Sequence, residues 1–294
     1  MTLTILTLTA ALAATPLLAQ QADPHAGHAQ ATAKPAAQIP VNEKIPPDAT
    51  GALDALKRSP RHQEWVDIKV PGATTPIKSF VVYPERKDKA GVVIVIHEIF
   101  GLSDWVRGVA DQLAEDGFIA IAPDLLSGKG PNGGGTADLG DQVTQVIRTL
   151  TPDEVVSKLN AVREYGLKLP AANGNSGVVG YCWGGNASFN YAIAQPALNA
   201  AVVYYGPSPT DVTAYANIKA PVLGLYGGND ARVNATIPTA EEHMKKTGKV
   251  YEPNIFEGAG HGFLRQQSGA EGANLKATEK AWPLTVAFFR KHLT

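Results

Sequence analysis

Gly177-Val-Val-Gly-Tyr-Cys-Trp-Gly-Gly185 decides the fold class of this chain. An apolar run stops at Gly180, and helix-like sequence, Asn186–Ala194, follows the glycine pair. A strand that stops and turns sharply into a helix pushes one side chain, here Cys182, out over the sheet edge. Gly180, Gly184 and Gly185 let the backbone pass close to itself, where a Cβ would block it. Cys182 is the only cysteine among 294 residues. It closes no internal disulfide and has no second thiol with which to share a metal. It is therefore either a nucleophile or an inert buried thiol, and the glycine frame favours the nucleophile.

Hydrophobic residues make up 44% of the chain and charged residues 18%, enough for a sizeable core. The formal net charge of −1 gives no general attraction to nucleic acid or an anionic membrane. Residues 1–19 carry no charge and run through Leu3, Ile5, Leu6 and Leu8 to Leu17-Leu18-Ala19. They read as a secretory signal peptide cut near Ala19, although no Lys or Arg precedes the apolar run and Leu17 is large for its place. The mature chain is expected in the periplasm or outside the cell, with no integral membrane segment. Residues 20–61 are rich in Ala, Gln and Pro, which predicts a disordered tether. His25 and His28 within it read as solvated side chains rather than metal ligands.

From residue 62 to 294 the pattern alternates. Glu64–Val70 and Ile77–Tyr83 are expected to pair as antiparallel edge strands. Gly91–His97, Phe118–Ala122, Ser176–Gly180, Ala200–Tyr204, Pro221–Tyr226 and Tyr251–Phe256 read as strands, several of them continuous apolar runs buried on both faces. Helices are predicted from Ser103, a plausible N-cap, through Asp116, and over Pro152–Lys168, Ile237–Thr247 and Ala273–His292. Each parallel crossover needs a helix, so the expectation is an α/β fold: a mostly parallel central sheet with helices on both faces.

The remaining chemical candidates fall at carboxyl ends of these strands, where an open α/β sheet places its site. Asp230 follows the strand ending at Tyr226 through Gly227-Gly228-Asn229, and His261 stands in Gly258-Ala-Gly-His-Gly262. Alone, each reads as a loop residue. Together they supply what a thiol nucleophile needs: an imidazole to take and return a proton, and a carboxylate to fix its tautomer. The order nucleophile, acid, histidine is that of α/β-hydrolases.

His97-Glu-Ile-Phe-Gly101, Ala122-Pro-Asp-Leu125, Gly180-Tyr-Cys-Trp-Gly-Gly185, Gly228-Asn-Asp230 and Gly260-His-Gly-Phe-Leu-Arg265 together resemble the dienelactone hydrolase family. The likeness covers about residues 62–294. It implies an α/β-hydrolase fold and a Cys182–Asp230–His261 triad. It further implies that Glu98 contacts the resting thiol and helps generate the thiolate when substrate binds. The backbone N–H groups of Trp183 and Ile99 then form the oxyanion hole, and a helix N-terminus beside the nucleophile suits that role.

Family members acting on dienelactone grip the substrate carboxylate with two arginines. Arg265 matches one. The loop where the other belongs reads Leu126-Ser-Gly-Lys-Gly-Pro-Asn-Gly-Gly-Gly135, with Lys129 and no arginine. Lysine is a point charge and makes no planar two-pronged grip. The loop lacks a phosphate-binding signature and is expected to act as a mobile flap. Trp105, Trp183 and Phe263 are candidates to line an apolar cleft.

The sequence therefore reads as an exported hydrolase cleaving carboxylic esters or lactones through a cysteine acyl-enzyme. It is expected to need neither metal nor organic cofactor, and its partner is a small-molecule substrate. Two alternatives come from other classes: a non-catalytic α/β module binding a carboxylate ligand through Arg265, and a redox-sensing thiol protein. The absence of a resolving cysteine weighs against the second.

Overall fold

The structure, a computed structural model, describes residues 42–294. The expected leader, His25, His28 and the tether up to residue 41 lie outside the described residues.

In chain order the elements are α1 (Ala52–Arg58), β1 (Gln63–Ile68), β2 (Ile77–Val82), β3 (Ala90–Ile96), α2 (Asp104–Glu115) and β4 (Ile119–Pro123). Short helices α3 (Thr136–Leu139) and α4 (Val143–Val146) precede α5 (Pro152–Lys168), β5 (Ala172–Tyr181), α6 (Trp183–Ala194) and β6 (Ala200–Tyr204). The chain ends with β7 (Val222–Gly227), α7 (Ala231–Asn234), α8 (Ile237–Lys246), β8 (Tyr251–Phe256) and α9 (Ala273–Leu293). The strands form one eight-stranded sheet in the order β1-β2-β4-β3-β5-β6-β7-β8. β1 and β2 join antiparallel at one edge, and every pairing from β4 to β8 is parallel.

Alternate strand residues face opposite layers, so each apolar strand feeds two cores. Val93, Val95, Val179 and Tyr204 pack with α1, α2 and α9. Val92, Ile94, Ile96, Val178 and Val203 pack with α5, α6 and α8. Helices therefore cover both faces, as the continuous apolar runs required. β3 sits between β4 and β5, so the chain order reverses at β3, and the crevice beyond the ends of β3 and β5 is the favoured place for a ligand.

Two expectations are corrected. Residues 42–61 are not a disordered tether. Ile45, Ala52 and Leu56 are buried in the α2-side core, and α1 packs there. The Trp105 indole N–H donates to the Pro47 carbonyl at 3.1 Å, and Gln267 Nε2 donates to the Pro46 carbonyl at 2.8 Å. A segment too poor in apolar residues to form its own core still folds when a neighbouring surface receives its few apolar side chains. The loop after β4 is likewise no bare flap. It winds through short helical turns, and Leu126, Leu139, Val143 and Ile147 form a small core of their own beside Ile99 and Trp183. The Asp124 carboxylate ties it down, accepting from the Thr136 N–H and hydroxyl, each at 2.7 Å.

The turn from β5 into α6 is the tightest in the molecule's centre. A Cβ on Gly180 would overlap the Gly184 carbonyl oxygen, and one on Gly184 would press on the Ile96 and His97 carbonyl oxygens. One on Gly185 would come within 2.6 Å of the Tyr204 carbonyl oxygen. All three obstacles are backbone, which cannot rotate away. Gly180→Ala is expected to destabilise by about 3 kcal/mol or more, at the upper end of overpacking effects. Gly51→Ala, whose Cβ would meet nothing nearer than 3.5 Å, is expected to be nearly neutral. Urea midpoints followed by circular dichroism measure both.

Candidate active site

Cys182 sits at the start of α6 with φ 55 and ψ −114, a conformation L-residues rarely adopt. The strain, of the order of 1–3 kcal/mol, is held by the packed elbow glycines and by the Cys182 N–H, which donates to the Tyr204 carbonyl at 3.0 Å. The side chain is half-buried, at the mouth of the crevice.

The loops after β7 and β8 bring the other two groups together. Gly227 passes so close to the second loop that a Cβ there would lie 2.5 Å from the Gly260 carbonyl oxygen. Asn229 stitches them: its N–H donates to the Ala259 carbonyl at 2.9 Å and its amide to the Gly258 carbonyl at 3.0 Å. Asp230, buried, caps α7 and accepts from His261 Nδ1 at 2.5 Å. Burial of the His261 ring works against its charge, yet Asp230 and the adjacent Cys182 sulfur outweigh it, and the pKa is pushed up to about 9. Asn274 holds the loop from behind, accepting from Gly260 N–H at 2.9 Å and donating to the Gln266 carbonyl at 2.7 Å.

Glu98, at the end of β3, is almost fully buried. The structure turns its carboxylate to Arg265, with Oε2 2.7 Å from Nε, rather than to the thiol. The contact is close but bent, so neither atom has a directional hydrogen-bond partner. Burial pushes the Glu98 pKa up, against the opposing pull of Arg265, His261 and the Tyr205 hydroxyl. Arg265 also lies over the exposed Phe100 ring, its Cζ 4.9 Å from the centroid.

Lys129 does not stand in for the missing arginine. Its Nζ is 3.0 Å from Glu154, which also holds Lys158 at 3.1 Å. Trp105 and Phe263 prove to be core residues, Trp105 edge-on to Tyr181 and Phe263 packed against Tyr204, Tyr205 and Phe256. Trp183 stays half-buried at the elbow, between the short-helix core and His97. The N–H groups of Ile99 and Trp183 donate no hydrogen bond among the described residues.

The sequence reading missed Tyr205. It follows β6, carries a positive φ of 37, and lies edge-on to the His261 ring at 5.2 Å. Its buried hydroxyl neighbours Glu98. The available signal was an aromatic residue before a glycine at a strand's carboxyl end, Tyr204-Tyr205-Gly206.

Against known proteins, the model of the dienelactone hydrolase family matches residues 77–293. A protein of Methylorubrum extorquens named "Putative carboxymethylenebutenolidase" is 31% identical over 67% of this chain and 71% of its own length. One of the same name in Saccharolobus solfataricus is 28% identical over 73% of this chain and 94% of its own. Among solved structures, dienelactone hydrolase from Anabaena variabilis superposes with a TM-score of 0.62 at 22% identity, covering 80% of this chain and 99% of that one. The fold is thus the α/β-hydrolase fold expected from the strand order.

A ring with pKa about 9 is charged through the neutral range and is lost as an acid only above it. Ester turnover is therefore expected to fall on the alkaline side with an apparent pKa near 9. In Asp230→Asn that limb moves down in pH, since the carboxylate raises the ring's pKa. A pH profile of kcat/KM checks both; a limb unmoved by the substitution contradicts the assignment.

Proposed function

The chain belongs to the dienelactone hydrolase family, and on that premise we propose that it is an exported hydrolase cleaving carboxylic esters or lactones through an acyl-enzyme on Cys182. The observation that carries the reading is the Asp230–His261 pair, 2.5 Å apart, beside a strained elbow cysteine.

In the proposed reaction the Cys182 thiolate attacks the substrate carbonyl carbon. The carbonyl electron pair moves to oxygen, which accepts from the Ile99 and Trp183 N–H groups. Collapse expels the alkoxide, which takes its proton from His261, and leaves a thioester. Neutral His261 then draws a proton from water, whose oxygen displaces the thiolate. Asp230 keeps the ring oriented and supports its charge.

His261 is charged at neutral pH in part because the sulfur beside it is negative, so the resting pair already offers some thiolate to neutral substrates, and a second proton acceptor raises that fraction. Glu98 supplies one. While Arg265 neutralises it, Glu98 is quenched. A substrate carboxylate that takes Arg265 leaves Glu98 buried without its cation and with a raised pKa, and the carboxylate then accepts the thiol proton. Glu98→Gln is accordingly expected to slow acylation and change the rate at which iodoacetamide labels Cys182, since alkylation follows the thiolate. Unchanged labelling with unchanged turnover contradicts this role.

One charge-assisted contact contributes about 1.5–3 kcal/mol, roughly ten- to a hundredfold in kcat/KM. Here an incoming carboxylate must replace Glu98 on Arg265, which keeps the gain near the lower end. Neutral esters and lactones are expected as substrates, with about a tenfold preference for those bearing a nearby carboxylate. Cys182→Ala is expected to abolish turnover with the fold intact by circular dichroism, and Arg265→Ala to erase the carboxylate preference while sparing neutral esters. Wild-type turnover in folded Cys182→Ala sinks the thiol mechanism. Binding of carboxylates without turnover by the wild type favours a binding module instead.

Export rests on the uncharged apolar residues 1–19. A mature chain beginning near Gln20 in the periplasmic or secreted fraction is the expected result of N-terminal sequencing; an intact Met1 in the cytosol contradicts it.

A further inference from the structure

His97 is the last residue before Glu98 and is fully buried. Its ring nitrogens are both engaged. Nδ1 lies 2.9 Å from the Glu98 carbonyl oxygen, and Nε2 lies 3.2 Å from the Leu125 N–H. A carbonyl can only accept and an amide N–H can only donate, so the ring must be the neutral tautomer with its proton on Nδ1. Burial pushes its pKa down, in keeping with that neutral form. The ring also stacks on the Trp183 indole, with centroids 5.7 Å apart and planes 13° from parallel.

The Glu98 carbonyl belongs to the same peptide unit as the Ile99 N–H. In a trans peptide these two groups are rigidly coplanar and point opposite ways. Fixing one fixes the other. The Glu98 carbonyl accepts from His97 Nδ1 and from the Gly101 N–H at 3.1 Å, so the Ile99 N–H is aimed away from both donors. Ile96 pairs with Gly180 across the sheet, and Gly184 packs on the Ile96 and His97 carbonyls, which sets this peptide beside the elbow. Donation into a carbonyl also polarises its peptide, which strengthens the N–H at the far end.

We propose that His97 is a positioning residue for the oxyanion hole: its neutral imidazole sets the Glu98–Ile99 peptide through its carbonyl and so aims the Ile99 donor. This rests on the reading of Ile99 and Trp183 given above. The Leu125 N–H at Nε2 anchors the ring to the end of β4, so it cannot turn over and present the wrong nitrogen. His97 exchanges no proton with substrate and touches neither sulfur nor His261 among the contacts described; its effect runs through the Ile99 N–H.

His97→Phe keeps a flat aromatic ring for the stack but removes both hydrogen bonds. His97→Asn places an amide donor where Nδ1 stood. Three readouts separate positioning from general damage: kcat and KM with p-nitrophenyl acetate, the rate of iodoacetamide alkylation of Cys182, and the dissociation constant of a trifluoromethyl ketone, whose adduct with the thiolate carries an oxyanion. Loss of an oxyanion donor lowers kcat by roughly a hundred- to a thousandfold, so a misaimed donor is expected to cost roughly ten- to a hundredfold. His97→Phe should show that loss in kcat, a matching loss of ketone affinity, and KM and alkylation within about twofold of wild type. His97→Asn should keep about a third of kcat or more. The proposal is overturned if His97→Phe keeps kcat and ketone binding within about twofold, or if alkylation falls in step with them. Should His97→Phe fail to fold, a loss of about tenfold or more in folded His97→Asn overturns it. Wild-type protein that binds the ketone tightly but hydrolyses no ester sinks the proposed function and leaves the His97 comparison to be read from ketone affinity. Wild type that does neither sinks both.

Discussion

At Cys182 the backbone is held with φ 55 by close contacts that no side chain could share. Removing the Cβ atoms at Gly180, Gly184 and Gly185 lets α6 begin almost inside the end of the sheet, against β3 on one side and β6 on the other. The same closeness sets the sulfur at the mouth, the Trp183 N–H behind it, and the His97–Ile99 segment alongside. Strain of this kind persists only where the surroundings over-determine it. Here they do: the sheet pairs Ile96 with Gly180 and Tyr181 with Tyr204, so the elbow is clamped from both neighbouring strands.

Charge is distributed around that point with little redundancy. His261 is held charged by Asp230 and the sulfur, whereas Glu98 is buried with Arg265 as its close cation and a tyrosine hydroxyl beside it. A buried carboxylate is expensive to leave unpaired. Any ligand that competes for Arg265 therefore changes the charge state beside the nucleophile. In the proposed mechanism binding and activation are coupled through one ion pair, and the pairing with Glu98 makes Arg265 a less free anion receptor than an isolated arginine would be.

The loop carrying His261 and Arg265 is held from two directions. Asn274 grips it from α9, and residues 46–49 grip it from the N-terminal segment, with the Ala49 N–H donating to the Arg265 carbonyl at 3.0 Å. Prolines suit that segment. They offer carbonyls without unmet N–H groups, and Pro46 and Pro47 both accept from side chains of the domain. The segment precedes the stretch matched by the family model and still contributes to the setting of the site.

The sequence by itself determined the sheet-and-helix order, the elbow, and the chain order of Cys182, Asp230 and His261. Those features are local: an apolar run, a glycine frame and a loop at a strand end are each written in consecutive residues. The limits of the strand Ala200–Tyr204 and of the helix Pro152–Lys168 agree with the structure to the residue, because burial on both faces marks the one and a proline at the first turn marks the other, and those of the half-exposed edge strand Tyr251–Phe256 agree as well. What only the tertiary structure decided is which distant groups meet. Glu98 faces Arg265 across more than half the chain, Lys129 is consumed by Glu154, Tyr205 lies against His261, and residues 42–61 fold because α2 receives them. A side chain's partner depends on where other elements place theirs, and a carboxylate buried beside a guanidinium has the same local sequence as one that faces a thiol.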